Sequence, residues 1–181
     1  QVENELVERG HPSENLDGDE LRKNLHPELG FTKEDRALNN RRTAFISKLL
    51  NRNGIPTIVA MITPFRESQQ RAREIIEEEG KFVLIYTKAS VEACEERDPK
   101  GMYKRAREGK IENFTGINHP FQEPHDPEIV VDTMANSQEE CAAHIVARLE
   151  ELGILDETLD ERYHFNITRE EESKIKDSLQ D

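Results

Sequence analysis

The chain has 181 residues and carries 25 Lys and Arg against 38 Asp and Glu, a net charge of −13. That length suits one domain with a sizeable core, and the acidic balance argues against a nucleic-acid or membrane surface. With 34% hydrophobic residues and no long apolar run, nothing reads as a bilayer span, and no signal peptide is visible at Gln1.

The first ten residues, through Gly10, read as the last turns of a helix stopped by that glycine. Residues 12–16 form a short extended piece leading into Asp17. Residues 20–25 predict a short helix, closed before Pro27. A long helix follows from Thr32 to Gly54, with Thr32 and Asp35 as a variant capping box. Leu38, Phe45 and Leu49 fall on one face, the expected core side, and Arg36, Asn39 and Thr43 fall on another. Residues 55–62 are continuously apolar, as in a strand buried on both faces. A charged helix over 67–80 precedes a second such strand over 81–88. Ser90 caps a further helix. Residues 128–133 form a third buried strand, and 137–153 an amphipathic helix.

Apolar strands alternating with helices predict an α/β domain over residues 1–153 with a mainly parallel sheet. Residues 154–181 read as a polar, acid-rich tail with one helix. Cys94 and Cys141 lack metal-ligand spacing and read as reduced thiols of a cytoplasmic protein. The six histidines contain no H-x-x-x-H pair, so no zinc site is expected.

Ligands of such sheets bind beyond the carboxyl ends of the strands. Three polar stretches fall there: Asp17-Gly18-Asp19, Thr63 to Arg66, and the segment after Tyr86. The plain reading of the first is that Asp19 caps a helix and Asp17 is solvated. The functional reading is a pair that binds hydrated Mg²⁺ and takes a proton from a hydroxyl, as phosphoryl transfer requires. Thr63 and Pro64 read as an N-cap and first helical residue, a geometry that also presents N–H groups to an anion. From Glu96 to Gly116 the chain turns basic, with Arg97, Lys100, Lys104, Arg105, Arg107 and Lys110. This is either a solvated helix face or a lid that closes on phosphates about Gly101 and Gly109. Phe114 beside the Gly116 turn suits either base stacking or the core.

Five blocks in order, LDGDELR, LGFTKEDRALNNRR, ITPFR, ERDPKGMYKRAR and NFTGI, resemble adenylylsulfate kinase from about Leu6 to Leu152. The resemblance implies a P-loop kinase-like fold with a basic lid. It also implies phosphorylation of the 3′-hydroxyl of adenylyl sulfate by MgATP, giving 3′-phosphoadenylyl sulfate. Asp17 would then sit near Mg²⁺, and Asp19 would face the 3′-hydroxyl as base. Arg22, Arg36 and Asn39 would bind the phosphosulfate and ribose, and Phe31 and Phe114 would sandwich the adenine. Ile62 and Thr63 would touch the acceptor through backbone and hydroxyl. Lys100, Lys104 and Arg107 would belong to the lid, with Arg97 against the ATP adenine. A homodimer is implied, and an ATP sulfurylase partner or fusion is left open.

Three departures from the family pattern stand out: Thr63 in place of Ser, Glu112 in place of Lys, and Met134 in place of Asn. A larger one is that no G-x-x-x-x-G-K-[ST] occurs. The expectation is that this sequence is part of a longer protein. The segment outside it would be roughly 20 to 30 residues, the length of a strand, phosphate loop and helix turn. Without that strand the sheet would expose apolar edges. Two other readings stay open: a degenerate nucleotide-binding regulatory domain, and a P-loop kinase for another small acceptor.

Overall fold

The computed structural model describes residues 1–155, and the expected tail from 156 onward lies outside them. Short elements alternate along the chain: α1 (Val2–Glu8), β1 (Glu14–Asp17), α2 (Gly18–Leu25), α3 (Lys33–Asn51), β2 (Thr57–Ala60) and α4 (Arg66–Ile76). Then come β3 (Ile85–Lys88), α5 (Val91–Arg97), α6 (Met102–Arg107), β4 (Ile129–Asp132) and α7 (Gln138–Glu151).

All strand pairing is parallel, as the alternation of elements predicts. β1 pairs with β2 in the register Leu16↔Val59, and β3 pairs with β4 in the register Tyr86↔Val130. The pairs form two separate two-stranded sheets, with a gap between them as expected of a sheet lacking one strand. A cavity of about 1170 Å³ lies between them, with Thr57, Ile58 and Val59 on one side and Ile85, Tyr86 and Thr87 on the other. Two-sided burial of β2 and β3 is corrected for the same reason. A strand is buried on both faces only when it has neighbours and covering helices; here Val59 is 40% exposed.

The main core lies where α7 crosses β4. Cys141, Ile145 and Leu149 recur every four residues on α7 and pack on Ile129 and Val131, joined by Val83, Ile85, Ile154 and Leu155. Burial of each such aliphatic side chain contributes about 1.5–3 kcal/mol. Ser137 and Glu140 start α7 with a reciprocal capping box. Arg73 of α4 binds both oxygens of Glu128 at 2.7 and 2.9 Å, and Glu128 accepts the Leu84 N–H at 2.7 Å. That bridge fixes α4 against the start of β3.

The face assignment of α3 is corrected. Its buried residues are Asn39, Asn40, Thr43, Ala44 and Ser47, whereas Phe45 is 53% exposed. α3 turns its polar stripe inward because that stripe borders the cavity, through Arg36, Asn40 and Thr43. Thr32 caps α3 through the Asp35 N–H at 3.1 Å. The box is not reciprocal, since Asp35 instead accepts the Gly30 N–H.

Candidate active site

The carboxyl ends of β1 and β2 carry the first part of the site. Asp17 ends β1 and caps α2, its Oδ1 accepting the N–H groups of Asp19 and Glu20 at 2.9 and 3.0 Å. The capping role therefore belongs to Asp17 and not to Asp19. Oδ2 of Asp17 has no protein partner among the described residues. Asp19 projects from the first turn of α2 into the cavity, where Lys100 donates to its Oδ2 at 3.2 Å. Gly18 stands between them because a Cβ there would lie 2.9 Å from Met61 Cγ and 3.2 Å from the Ala60 carbonyl oxygen. The close approach of α2 to β2 therefore requires glycine.

Two arginines build the aromatic wall. Arg22 donates to the carbonyls of Leu29 and Gly30 and lies 4.6 Å over the Phe31 ring. Arg36 donates to the Phe31 carbonyl at 3.1 Å and to the Asn113 carbonyl at 2.9 Å. It thus ties together the backbones that carry Phe31 and Phe114. Burial, and next the charge of Arg22, lower the pKa of Arg36. Phe114 meets the edge of Tyr103 at 4.8 Å. Its N–H donates to Asn118 Oδ1 at 2.6 Å, and Asn118 Nδ2 donates to the Ile111 carbonyl. Asn39 is 1% exposed, and neither of its amide atoms has a partner among the described residues.

The segment after β2 differs from its expected form. α4 begins at Arg66 with Phe65 as N-cap, so Thr63 and Pro64 precede the helix. Thr63 has φ +41°. That is an outlying conformation for a β-branched residue and costs on the order of 1–3 kcal/mol. Ile62 is 62% exposed at the cavity rim.

The basic segment forms α5, a turn, and α6. Ser90 caps α5 through the Ala93 N–H, and Asp98 accepts the N–H groups of Tyr103 and Lys104. Gly101 and Gly109 both have positive φ and open space around them. Arg107 pairs with Glu95 at 2.6 Å. Arg97 donates to the hydroxyl and carbonyl of Thr133. The Lys104 side chain is exposed.

One cavity therefore gathers Asp19, Phe31, Arg36, Ile62, Thr63, Lys100 and Phe114. Asp17, Arg22, Asn39, Arg97, Lys104 and Arg107 are not part of its lining. The sequence reading missed Asn118, Tyr103, Gln69 and Gln122. Asn118 carried a turn signal four residues after Phe114. Gln69 and Gln122 carried none, being 53 residues apart.

The adenylylsulphate kinase family model matches residues 1–132. The chain belongs to the adenylylsulphate kinase family. It is 51% identical over 154 residues to the adenylyl-sulfate kinase of Staphylococcus carnosus, covering 85% of this chain and 77% of that one. It is 45% identical to the adenylyl-sulfate kinase of Halothermothrix orenii, covering 86% and 83%. The fold is similar to the Mycobacterium tuberculosis APS kinase solved with AMPPNP and APS, with a TM-score of 0.80 and 37% identity. That likeness covers 82% of this kinase and 86% of the Mycobacterium chain.

Proposed function

We propose that this cavity is the acceptor site for ATP-dependent phosphorylation of adenylyl sulfate, the activity of the adenylylsulphate kinase family. The observation that carries the assignment of residues is the shared cavity, which sets the Asp19 carboxylate against two aromatic rings beneath a basic lid. In this reading Phe31 and Phe114 bind the adenine by stacking. Arg36, which lines the cavity, meets the ribose and phosphosulfate, with Arg22 and Asn39 beside it outside the lining. The 3′-hydroxyl oxygen bonds to the γ-phosphorus of ATP, Asp19 accepts the hydroxyl proton, and the bond to the β-phosphate oxygen breaks to release ADP. Lys100 leaves Asp19 and pairs with phosphate as the lid engages.

Asp17 fits Mg²⁺, because capping consumes only Oδ1 and magnesium takes one or two carboxylate oxygens beside water and phosphate. The ion would supply charge neutralisation at the ATP phosphates. No group of three or more carboxylate, His or Cys side chains among the described residues competes as a metal site.

The slot between β2 and β3 suits one further parallel strand of the whole protein, carrying the phosphate loop. Both edges facing it are apolar and have no ladder partner across the cavity. A homodimer, an ATP sulfurylase as partner or fused domain, and a cytoplasmic location complete the proposal. The unpaired Cys94 and Cys141 support that location, and among the described residues no helix is long and apolar enough to cross a membrane.

The test is transfer of labelled γ-phosphate from ATP to adenylyl sulfate, with the intact mass recorded on the same sample. Transfer at a mass above that of these 181 residues supports both the activity and the extra strand. No transfer from a sample that still binds adenylyl sulfate would make this a regulatory relative. Transfer to another alcohol in preference would make it a kinase for that acceptor.

A further inference from the structure

Thr63 adopts φ +41° without being glycine, asparagine or aspartate. Such a conformation persists only where its surroundings over-determine it. Here the surroundings are two glutamines. Gln69, 7% exposed on the first turns of α4, donates through Nε2 to the Thr63 carbonyl at 3.0 Å and reaches the Gln122 carbonyl at 3.5 Å. Gln122, on the far loop, donates its backbone N–H to the Pro64 carbonyl at 2.8 Å. Its side-chain Oε1 accepts the Arg66 N–H at 3.0 Å. That bond supplies the cap that Phe65, the N-cap residue, has no side-chain oxygen to give. Arg66 Nε donates to the Glu123 carbonyl at 2.6 Å, closing the seam. Pro64 and Phe65 are buried beneath it, with Phe65 5.3 Å from the His119 ring. The strained residue is thus gripped on its carbonyl side, and Ile62 and Thr63 line the cavity.

We propose that Gln69 and Gln122 are positioning residues for acceptor binding. They lock Thr63 in its left-handed conformation, and so aim Ile62 and Thr63 at adenylyl sulfate. This rests on the reading that residues 62 and 63 meet the acceptor. Although Gln69 also lines the cavity, both glutamines act through the backbone around Thr63.

The experiment is steady-state kinetics and thermal melting of the whole protein with Gln69→Glu, Gln122→Met, Thr63→Gly and the Gln69→Glu/Thr63→Gly double variant. Glutamate preserves the shape of Gln69 but cannot donate to a carbonyl when ionised. The expected result is a KM for adenylyl sulfate raised about tenfold by Gln69→Glu, with kcat and the KM for ATP within about twofold. Glycine adopts positive φ freely, so in the Thr63→Gly background the same change should shift KM by less than about twofold. Gln122→Met, at an exposed position, should move KM in the same direction and carries the test if Gln69→Glu does not fold. An equal KM shift in both backgrounds, or lost thermal stability with KM unmoved, would reduce the glutamines to a helix cap and overturn the proposal. An unmoved KM in Thr63→Gly alone would overturn it at its root, by removing the acceptor contact on which it rests.

Discussion

Asp17 and Asp19 differ in what their oxygens already bind. Asp17 spends one oxygen on the backbone of α2, while among the described residues the Asp19 carboxylate meets only the exposed ammonium of Lys100. An exposed pair of this kind is worth little on its own, so Lys100 can leave it at small cost. Asp19→Asn should therefore lower kcat by about 10²-fold or more while acceptor affinity stays within about twofold. Unchanged turnover would remove Asp19 as the base. Phe114→Ala should weaken acceptor binding by about 1–3 kcal/mol in calorimetric titration. Loss of folding instead would make the ring a core residue. Beneath it, burial and then a hydrogen bond with Cys94 push the pKa of Tyr103 up to about 12. The folded state therefore retains a proton that the unfolded chain loses near pH 10, so the contribution is full below pH 10 and fades between about pH 10 and 12. Chemical denaturation across that window should show a steeper fall for the native protein than for Tyr103→Phe. Parallel curves would contradict the assignment.

At the scale of elements, the site depends on how closely α2 approaches β2. Gly18→Ala would drive a Cβ against Met61, which can rotate, and the Ala60 carbonyl, which cannot. The overpacking, about 1–3 kcal/mol, exceeds the gain in helix propensity of about 1 kcal/mol. A lower Tm together with a reduced kcat is expected, because Asp17 and Asp19 flank the glycine. A raised Tm would mean that α2 has slack. Much at this scale was readable from the chain. Ser90 and Thr32 cap the helices they were expected to cap, and Gly10 and Gly54 carry the positive φ that ends a helix. The α3 faces were not readable. Leu38, Phe45 and Leu49 share a face by period, yet period alone does not say which face meets the core. The cavity decides it, drawing Asn40 and Thr43 inward.

For the whole molecule, the two half-sheets stand apart across the slot, and α7 anchors only the β3–β4 side. A strand in that slot would give every β2 and β3 amide a ladder partner. In the whole protein, β2 and β3 amides should then exchange with solvent as slowly as those of β4, measured by hydrogen exchange. Fast exchange at β2 beside slow exchange at β4 would mean that nothing fills the slot. The basic lid sits at the same scale. Lys100, Lys104 and Arg107 stand out against a net charge of −13, so if the segment is the proposed lid, the attraction for phosphates would be concentrated in it.

Local chemistry was legible because it acts over a few residues. Caps, turn glycines, the alternation of strand and helix, the Asp-Gly-Asp turn and the basic run are all short-range, and the five ordered blocks pointed to the family that the comparisons found. What needed the tertiary structure acts between distant segments. Which acid caps α2 follows from the angle at which the chain leaves β1. That Arg36 joins the Phe31 and Phe114 arms depends on a contact spanning 77 residues. The strain at Thr63 is held by Gln122 from across the fold, through a cap 56 residues away. A backbone conformation that local propensity opposes can be imposed only by contacts that local sequence does not contain.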